Sequence, residues 1–235
     1  MARSGGAVEP SSDRAESDNV ARADDLRERI VDANDGIIAT AGIIEGFVGA
    51  GAADPVIVLA AVAAMIAGGF ALGAVKYSET ATQRDARQSI IDEERRLLER
   101  TPEEEQAELA AIYVDKGLSP ELATRVAAEL SATNPLGSQL DAEYGILADL
   151  PRPLPTALTA FGCFVLGAAV PLAAALFAPD TWRALITLAA VVLALFVTSV
   201  IAARVGRARL WRTVLRTVLV GVFAVAISLG VGRLL

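Results

Sequence analysis

The side chains able to do chemistry in this sequence are almost all carboxylates. Glu104, Glu105 and Glu108 are spaced three and four apart, which puts their carboxyl groups on one face of a helix. Like charges so placed repel unless a cation sits between them. A carboxylate cluster without His or Cys favours hard or borderline divalent ions (Mn2+, Fe2+, Mg2+, Ca2+) over Cu+. For any one glutamate taken alone, a solvated acidic surface is the plainer reading. A second set, Asp35 in Asn34-Asp35-Gly36 and Glu45 ten residues on, interrupts an apolar run. On a helix those ten residues span about 15 Å. The 235 residues include no His and a single Cys, which excludes a disulfide framework, a zinc finger, a haem ligand pair and any His-based triad. Cys163 lies in an apolar run and reads as a small buried hydrophobe.

The elements that position these acids follow from the hydropathy pattern. The chain is 54% hydrophobic with a mean hydropathy of +0.48, and its apolar residues collect in runs long enough to cross a hydrocarbon core about 30 Å thick. Five runs qualify: 31–53, 55–75, 154–178, 184–203 and 213–232. The first is the weakest, because Asp32, Asp35 and Glu45 lie within it. An ion at the bilayer centre costs about 2.5–3.5 kcal/mol, and less near a helix end. Glu45, near mid-membrane, must therefore be protonated, paired or hydrated, whereas Asp35 is also acceptable as a helix-start residue at the interface. Lys76, at the end of the second run, is a partner for Asp35 or a snorkelling end residue. The expected fold is an all-α membrane protein of five transmembrane helices with a helical insert between the second and third.

Charge is strongly segregated. Residues 1–30 hold seven acids and five Arg, residues 77–150 hold sixteen acids and seven bases, and residues 151–235 hold one acid, Asp180, and eight Arg. An acidic middle segment argues against nucleic-acid binding and suits cations. The link between the fourth and fifth runs carries Arg204, Arg207, Arg209, Arg212 and Arg216, which marks the cytoplasmic side. The N-terminus and insert are then cytoplasmic and the C-terminus outside. The polar leader, residues 1–28, is expected to be disordered up to about Asp24. It shows no signal peptide, and with the short connections this suits a bacterial inner membrane. Small residues at four-residue spacing, such as Gly42 and Gly46 in the first run and Gly69 and Gly73 in the second, permit close helix contact. Five helices make a thin enclosure for a polar path, so a homodimer with the path at its junction is expected.

In the insert, residues 77–150, the pattern turns to charged helices. A helix without Gly or Pro runs from Glu79 to Arg100, continuing out of the second span. Thr101-Pro102 starts the next, with Thr101 as N-cap, and Gly117 ends it. Ser119-Pro120 starts a third that runs to about Leu130, and Asn134-Pro135 a short fourth.

These pieces together resemble the vacuolar iron transporter family, from about Arg29 to the C-terminus. The resemblance rests on Asn34-Asp35-Gly36-Ile37, the Gly-rich end of the second span leading to Tyr77, Gln83-Arg84-Asp85, Glu93-Glu94-Arg95-Arg96, Pro102-Glu103, Glu108-Leu109, Tyr113, Gly117-Leu118, and the Gly-rich third span with Pro171-Leu172. It implies export of Fe2+ and Mn2+ from the cytosol in exchange for protons, through a dimer, with metal ions as cargo and no cofactor. It further implies a path through Asp35 and a cytoplasmic domain that gathers metal with Glu94, Glu105, Glu108 and Glu143.

The chain departs from that family at defined places. The Met expected in the second span is Leu72, a glutamate expected three residues after Glu94 is Leu97, the paired Met expected shortly before Glu143 fall on Gln139 and Leu140, and Lys76 occupies a Gly or Glu position. These changes remove thioether ligands and one carboxylate. Glu45 is outside the family pattern and is expected to supply a replacement hard ligand or a proton-carrying group in the path. The expected function is thus a proton-linked divalent-metal exporter, the alternative being a non-transporting membrane metal sensor or docking protein. No nucleophile–base pair or phosphate loop supports an enzyme.

Overall fold

The computed structural model describes residues 11–146, 150–206 and 208–234. The first ten residues of the leader and Arg207 of the Arg-rich link therefore lie outside the described residues. Eight helices are described: α1 (Ser11–Gly49), α2 (Asp54–Arg100), α3 (Pro102–Asp115), α4 (Pro120–Thr133), α5 (Pro135–Tyr144), α6 (Pro153–Phe177), α7 (Arg183–Val205) and α8 (Leu210–Leu234). The chain divides into two compact units, one of residues up to Lys76 together with Pro155–Leu235, the other Tyr77–Leu154.

Among the described residues, four helices are long and apolar enough to cross a membrane: α2, α6, α7 and α8. This is one fewer than the hydropathy pattern predicts. The missing one is α1, whose last eighteen residues still contain Asp32, Asp35 and Glu45. The leader also differs from expectation, because residues 11–28 are helical and continue into α1 without a break. Ion pairs one turn apart, Arg27 with Asp24 and Arg29 with Asp25, both at 2.6 Å, reinforce that stretch.

In the first unit α1 is the shared helix. Ile37 and Ala41 pack with Val191 and Leu195 of α7 and Val225 of α8, while Ile44 packs with Ile57 and Ala61 of α2 and Ala175 of α6. The helix directions follow from paired positions. Thr198 donates a 2.7 Å hydrogen bond to the Asn34 side chain, and Gly206, eight residues further along α7, lies beside Arg27, seven residues earlier on α1. α1 and α7 are thus antiparallel. On α8, Gly221 faces Ile38 and Leu229 faces Gly49, so α1 and α8 run parallel. On α6, Phe164 faces Gly68, and Ala157 faces Gly73, so α2 and α6 are antiparallel. Arg183 at the start of α7 forms a two-pronged ion pair with Asp54 at the start of α2, and its Nε donates to the carbonyl of Ala175 on α6.

α1 and α6 approach very closely, as do α1 and α8 where a Cβ on Gly232 would stand 1.9 Å from the Gly46 carbonyl oxygen. A Cβ on Gly36 would stand 2.0 Å from the Phe164 carbonyl oxygen, and one on Gly167 would stand 1.9 Å from that of Ala33. Only hydrogen fits at either position, and the two backbones meet as small residues allow in membrane bundles.

The second unit is a small helical assembly built from the second part of α2 and from α3, α4 and α5. Its starts and stops are those the sequence encodes. Ser119 Oγ accepts from Leu122 N at 3.4 Å, Asn134 Oδ1 accepts from Gly137 N at 3.2 Å, and Gly117 (φ +102) and Gly145 (φ +61) adopt left-handed turns. Thr101 is the exception: its hydroxyl donates back to the Leu97 carbonyl at 3.3 Å and does not cap α3. The core is Ile91, Leu109, Ala123, Ala127 and Leu140. Glu94, Glu105 and Gln139 are buried with them.

Gly36→Val forces a side chain into the α6 backbone and should destabilise the bundle by about 3 kcal/mol or more. Gly162→Val, at a site with nothing within 4 Å, should be close to neutral. The measurement is the thermal midpoint and the monodisperse yield of the purified protein; equal behaviour of the two variants would refute the close approach.

Candidate metal-handling sites

Within the second unit, α2, α3 and α5 bring the four glutamates together, since Glu94 comes from α2, Glu105 and Glu108 from α3, and Glu143 from α5. They form two pairs. The carboxyls of Glu94 and Glu105 are within hydrogen-bonding reach of each other, as are those of Glu108 and Glu143. Glu94 and Glu105 are 2% and 5% exposed, whereas Glu108 is exposed. Glu104, its helix neighbour in the spacing pattern, is exposed as well. Among the described residues no three acidic side chains converge on one point closely enough to hold an ion in this conformation. The arrangement is an inner, buried pair beside an outer, accessible one.

Electrostatics makes the inner pair a poor host for negative charge alone. Burial, reinforced by the charges of Glu143, Glu105 and Glu108, pushes the Glu94 carboxyl up to about 7. Glu143 is also raised, by burial first and then by Glu108, while a hydrogen bond with Tyr144 works in the opposite direction. At neutral pH the cluster therefore attracts either protons or a cation. The two compete for the same oxygens.

Gln139 is a buried neighbour of these glutamates that composition and spacing do not reveal. It is 1% exposed, and its Nε2 donates to both the backbone oxygen and Oε2 of Glu105, each at 3.0 Å. Its Oε1 and the Oε1 of Glu94 are buried without a hydrogen-bond partner. Buried unsatisfied oxygens are uncommon in native proteins. Both are hard oxygen atoms of the kind Mn2+, Fe2+ and Mg2+ take.

In the first unit the structure parts Asp35 from Glu45. Asp35 is exposed, on a stripe of α1 that also carries Val31, Ala39, Ile43 and Phe47. Glu45 is 1% exposed and turned into the bundle, with its Oε1 unpartnered. Moving eleven residues along α1 from Asn34 and eleven back along α7 from Thr198 reaches Glu45 and Thr187, so the two share a level in the antiparallel pair. Thr187 Oγ1 and Thr40 Oγ1 are also buried without a partner. Lys76 forms its ion pair with Glu28, seven residues before Asp35. That pair belongs to a cleft lined by Asp25, Glu28, Arg29, Asp32 and Lys76 of α1 and α2 and by Thr156 and Thr159 of α6. The i, i+3, i+7 spacing of Asp25, Glu28 and Asp32 is the sequence signal for that polar face.

Helical bundles carrying buried acids, joined to a carboxylate-rich helical unit, are the features of an ion-handling membrane protein. The family model described as VIT family matches residues 26–233. A vacuolar iron transporter of Acanthamoeba castellanii is 30% identical over 211 residues, covering 89% of this chain and 78% of that protein. Vacuolar iron transporter 1 of Tulipa gesneriana is 27% identical over 215 residues, covering 89% and 87%. Vacuolar iron transporter 1 of Arabidopsis thaliana is 28% identical over 175 residues, covering 73% and 69%. The chain belongs to the VIT family, a family of transporters and not of enzymes.

The raised Glu94 carboxyl fixes the sign of a pH dependence. Its folded value of about 7 lies above the ordinary 4.5, so the native state holds a proton that the unfolded chain has already lost between those values. Stability of the metal-free protein should then fall as pH rises from about 4.5 to about 7. Glu94→Gln should flatten that slope. Thermal melts across pH 4.5–8 in chelated buffer provide the check, and a slope unchanged by the substitution would contradict it.

Proposed function

We propose that this chain exports a divalent metal ion, Fe2+ or Mn2+, from the cytosol in exchange for protons, as a homodimer of five-span subunits. The observation that carries the reading is the place of Asp35. It is the one acid on an otherwise apolar outward stripe of the helix around which the first unit is packed. A carboxylate facing lipid is strongly disfavoured. A second copy covering that stripe would set two Asp35 carboxyls against each other, a charge arrangement that calls for a divalent cation.

α1 is the fifth span in this reading. It lies antiparallel to α7 from Arg27 opposite Gly206 to the level of Glu45 and Thr187, so it shares the depth of a helix that is apolar enough to cross. The Arg-rich link 204–216 sets the cytoplasmic side, which makes the N-terminus and the 77–150 insert cytoplasmic, the C-terminus external, and a bacterial inner membrane the setting. Glu94, Glu105, Glu108 and Glu143 collect cytosolic metal, and Asp35 carries it across. Glu45, enclosed with Thr40 and Thr187, serves better as the proton-carrying group than as a metal ligand. A neutral, protonated carboxyl tolerates that enclosure, whereas an ion there would lack further charged donors.

Leu72, which puts a hydrocarbon where the family resemblance implies a thioether, favours the alternative of a membrane metal sensor or docking protein without transport. Proteoliposomes containing a divalent-sensitive dye separate the two. Uptake of Fe2+ or Mn2+ should respond to a pH gradient and fall to background in Asp35→Ala. In Glu45→Gln, flux should persist while its response to the gradient is lost. Absence of flux for every ion tried, or wild-type flux in Asp35→Ala, would reject the exporter as assigned.

A further inference from the structure

The corner where α7 ends and α8 begins carries positive charge that the fold leaves unmatched. Arg204, in the last turn of α7, and Arg209, Arg212 and Arg216, at the start of α8, are all exposed, and none forms an ion pair with a described residue. Residues 151–235 hold a single acid, Asp180, which precedes α7 and so lies at its other end. Where α1 reaches this corner, Arg27 lies beside Gly206, and the neighbouring Asp24 and Asp25 are already paired, with Arg27 and Arg29.

The register of α8 sets what these arginines face. The Arg209 carbonyl accepts from the backbone N–H groups of Arg212 and Thr213, at 3.1 and 3.2 Å, which starts the helix there. Gly221, Val225 and Gly232 form its buried face. Arg212, Arg216, Leu219, Phe223 and Ile227, spaced four, three, four and four apart, form the opposite one, and all are exposed. One outward stripe thus changes from guanidinium to hydrocarbon within a turn. Trp211 is exposed beside it, its ring centroid 5.3 Å from the Arg212 guanidinium, and a tryptophan at the end of an apolar span is an anchor at headgroup level. Arg216 stands four residues, about 6 Å, further along the helix, on a face turned away from the protein and toward lipid. A guanidinium there is costly without an anion, and the anion at hand is a lipid phosphate.

We propose that this corner binds an anionic phospholipid, with Arg212 and Arg216 holding the phosphate, Arg204 and Arg209 adding charge around it, and an acyl chain lying along Leu219, Phe223 and Ile227. The basic residues of 204–216 are all arginine, whose planar guanidinium bonds two phosphate oxygens at once where a lysine offers only a point charge. The site needs α8 to cross a membrane and needs nothing of metal transport, so either reading can fail without the other.

The two tryptophans supply the test, because Trp182 precedes α7 and Trp211 follows its far end. Full-length Trp182→Phe protein is reconstituted into vesicles of phosphatidylcholine and phosphatidylglycerol, with one or the other brominated on its acyl chains, and quenching of Trp211 fluorescence reads the local lipid preference. Phosphatidylglycerol should be favoured at Trp211 by about fivefold or more, and Trp182, read in Trp211→Phe, should show no preference. Arg212→Gln with Arg216→Gln should bring the ratio at Trp211 to about one. Arg212→Lys with Arg216→Lys, which retains the charge, should still lose most of the preference. A ratio that lysine preserves and salt abolishes would mean diffuse surface attraction and would overturn the site. Equal quenching by the two lipids with the arginines intact would overturn it as well. So would a preference abolished by millimolar inorganic phosphate, which would assign the arginines to a soluble anion.

Discussion

A carboxyl group taken out of water must be accompanied by a proton, a cation or hydrogen-bond donors, and this chain withdraws Asp32, Glu45, Glu94 and Glu105 to 5% exposure or less. Asp32 faces a polar cleft that also holds Arg29 and Lys76. Glu105 is matched by the Gln139 amide, whereas Glu94 and Glu45 each keep an oxygen with no donor. The molecule thus retains unmet demand for positive charge in both of its compact units. An ion-handling protein needs that demand, because a site fully satisfied by its own side chains has nothing to offer a passing cation.

The two units meet the constraint differently. In the helical assembly of Tyr77–Leu154, like charges are placed close together and the strain is electrostatic, with the Glu94 carboxyl pushed up to about 7 by burial and by its acidic neighbours. Carboxylates spread over three helices draw together only when something neutralises them. In the bundle the acids are spread along one helix. Asp35 stands on the outward stripe of α1 and Glu45 on its inward face, with the backbone fit at Gly36 and Gly167 locking that rotation. The rotation of a single helix therefore separates an exposed acid from an acid closed off among Thr40, Thr187 and hydrocarbon.

Much of the architecture was readable from residue order. Four of the five apolar runs lie in helices of spanning length, three of which end within a few residues of the run while α2 continues to Arg100 as the charged pattern predicts, because a 20-residue apolar helix is a one-dimensional property. The turns at Gly117, Ser119 and Asn134 were equally legible, since capping is local chemistry. The first run lies in α1, whose acids keep it below the apolar composition of the other four, and residues 11–28, expected to be unstructured up to about Asp24, are helical. Local ion pairs and continuity with a packed helix stabilise residues 19–28 in a way that a composition average does not register. Thr101 has the residue type of a cap, but its hydroxyl donates to the Leu97 carbonyl and accepts from no N–H of α3.

The sequence by itself determined that the protein is helical, carries a membrane-length apolar portion and offers chiefly carboxylates for chemistry, since residue types and their periodicity settle those matters. It also placed Glu94, Glu105, Glu108 and Glu143 on helices of one segment, by resemblance and not by spacing. Only the tertiary structure decided which of them are buried, that they fall into an inner and an outer pair, and that Gln139 stands beside them with an unsatisfied oxygen. It alone put Asp35 and Glu45 on different faces and Lys76 against Glu28. These are contacts between residues far apart in the chain. No periodicity encodes them, because they depend on how closely two backbones approach and on the rotation at which each helix comes to rest.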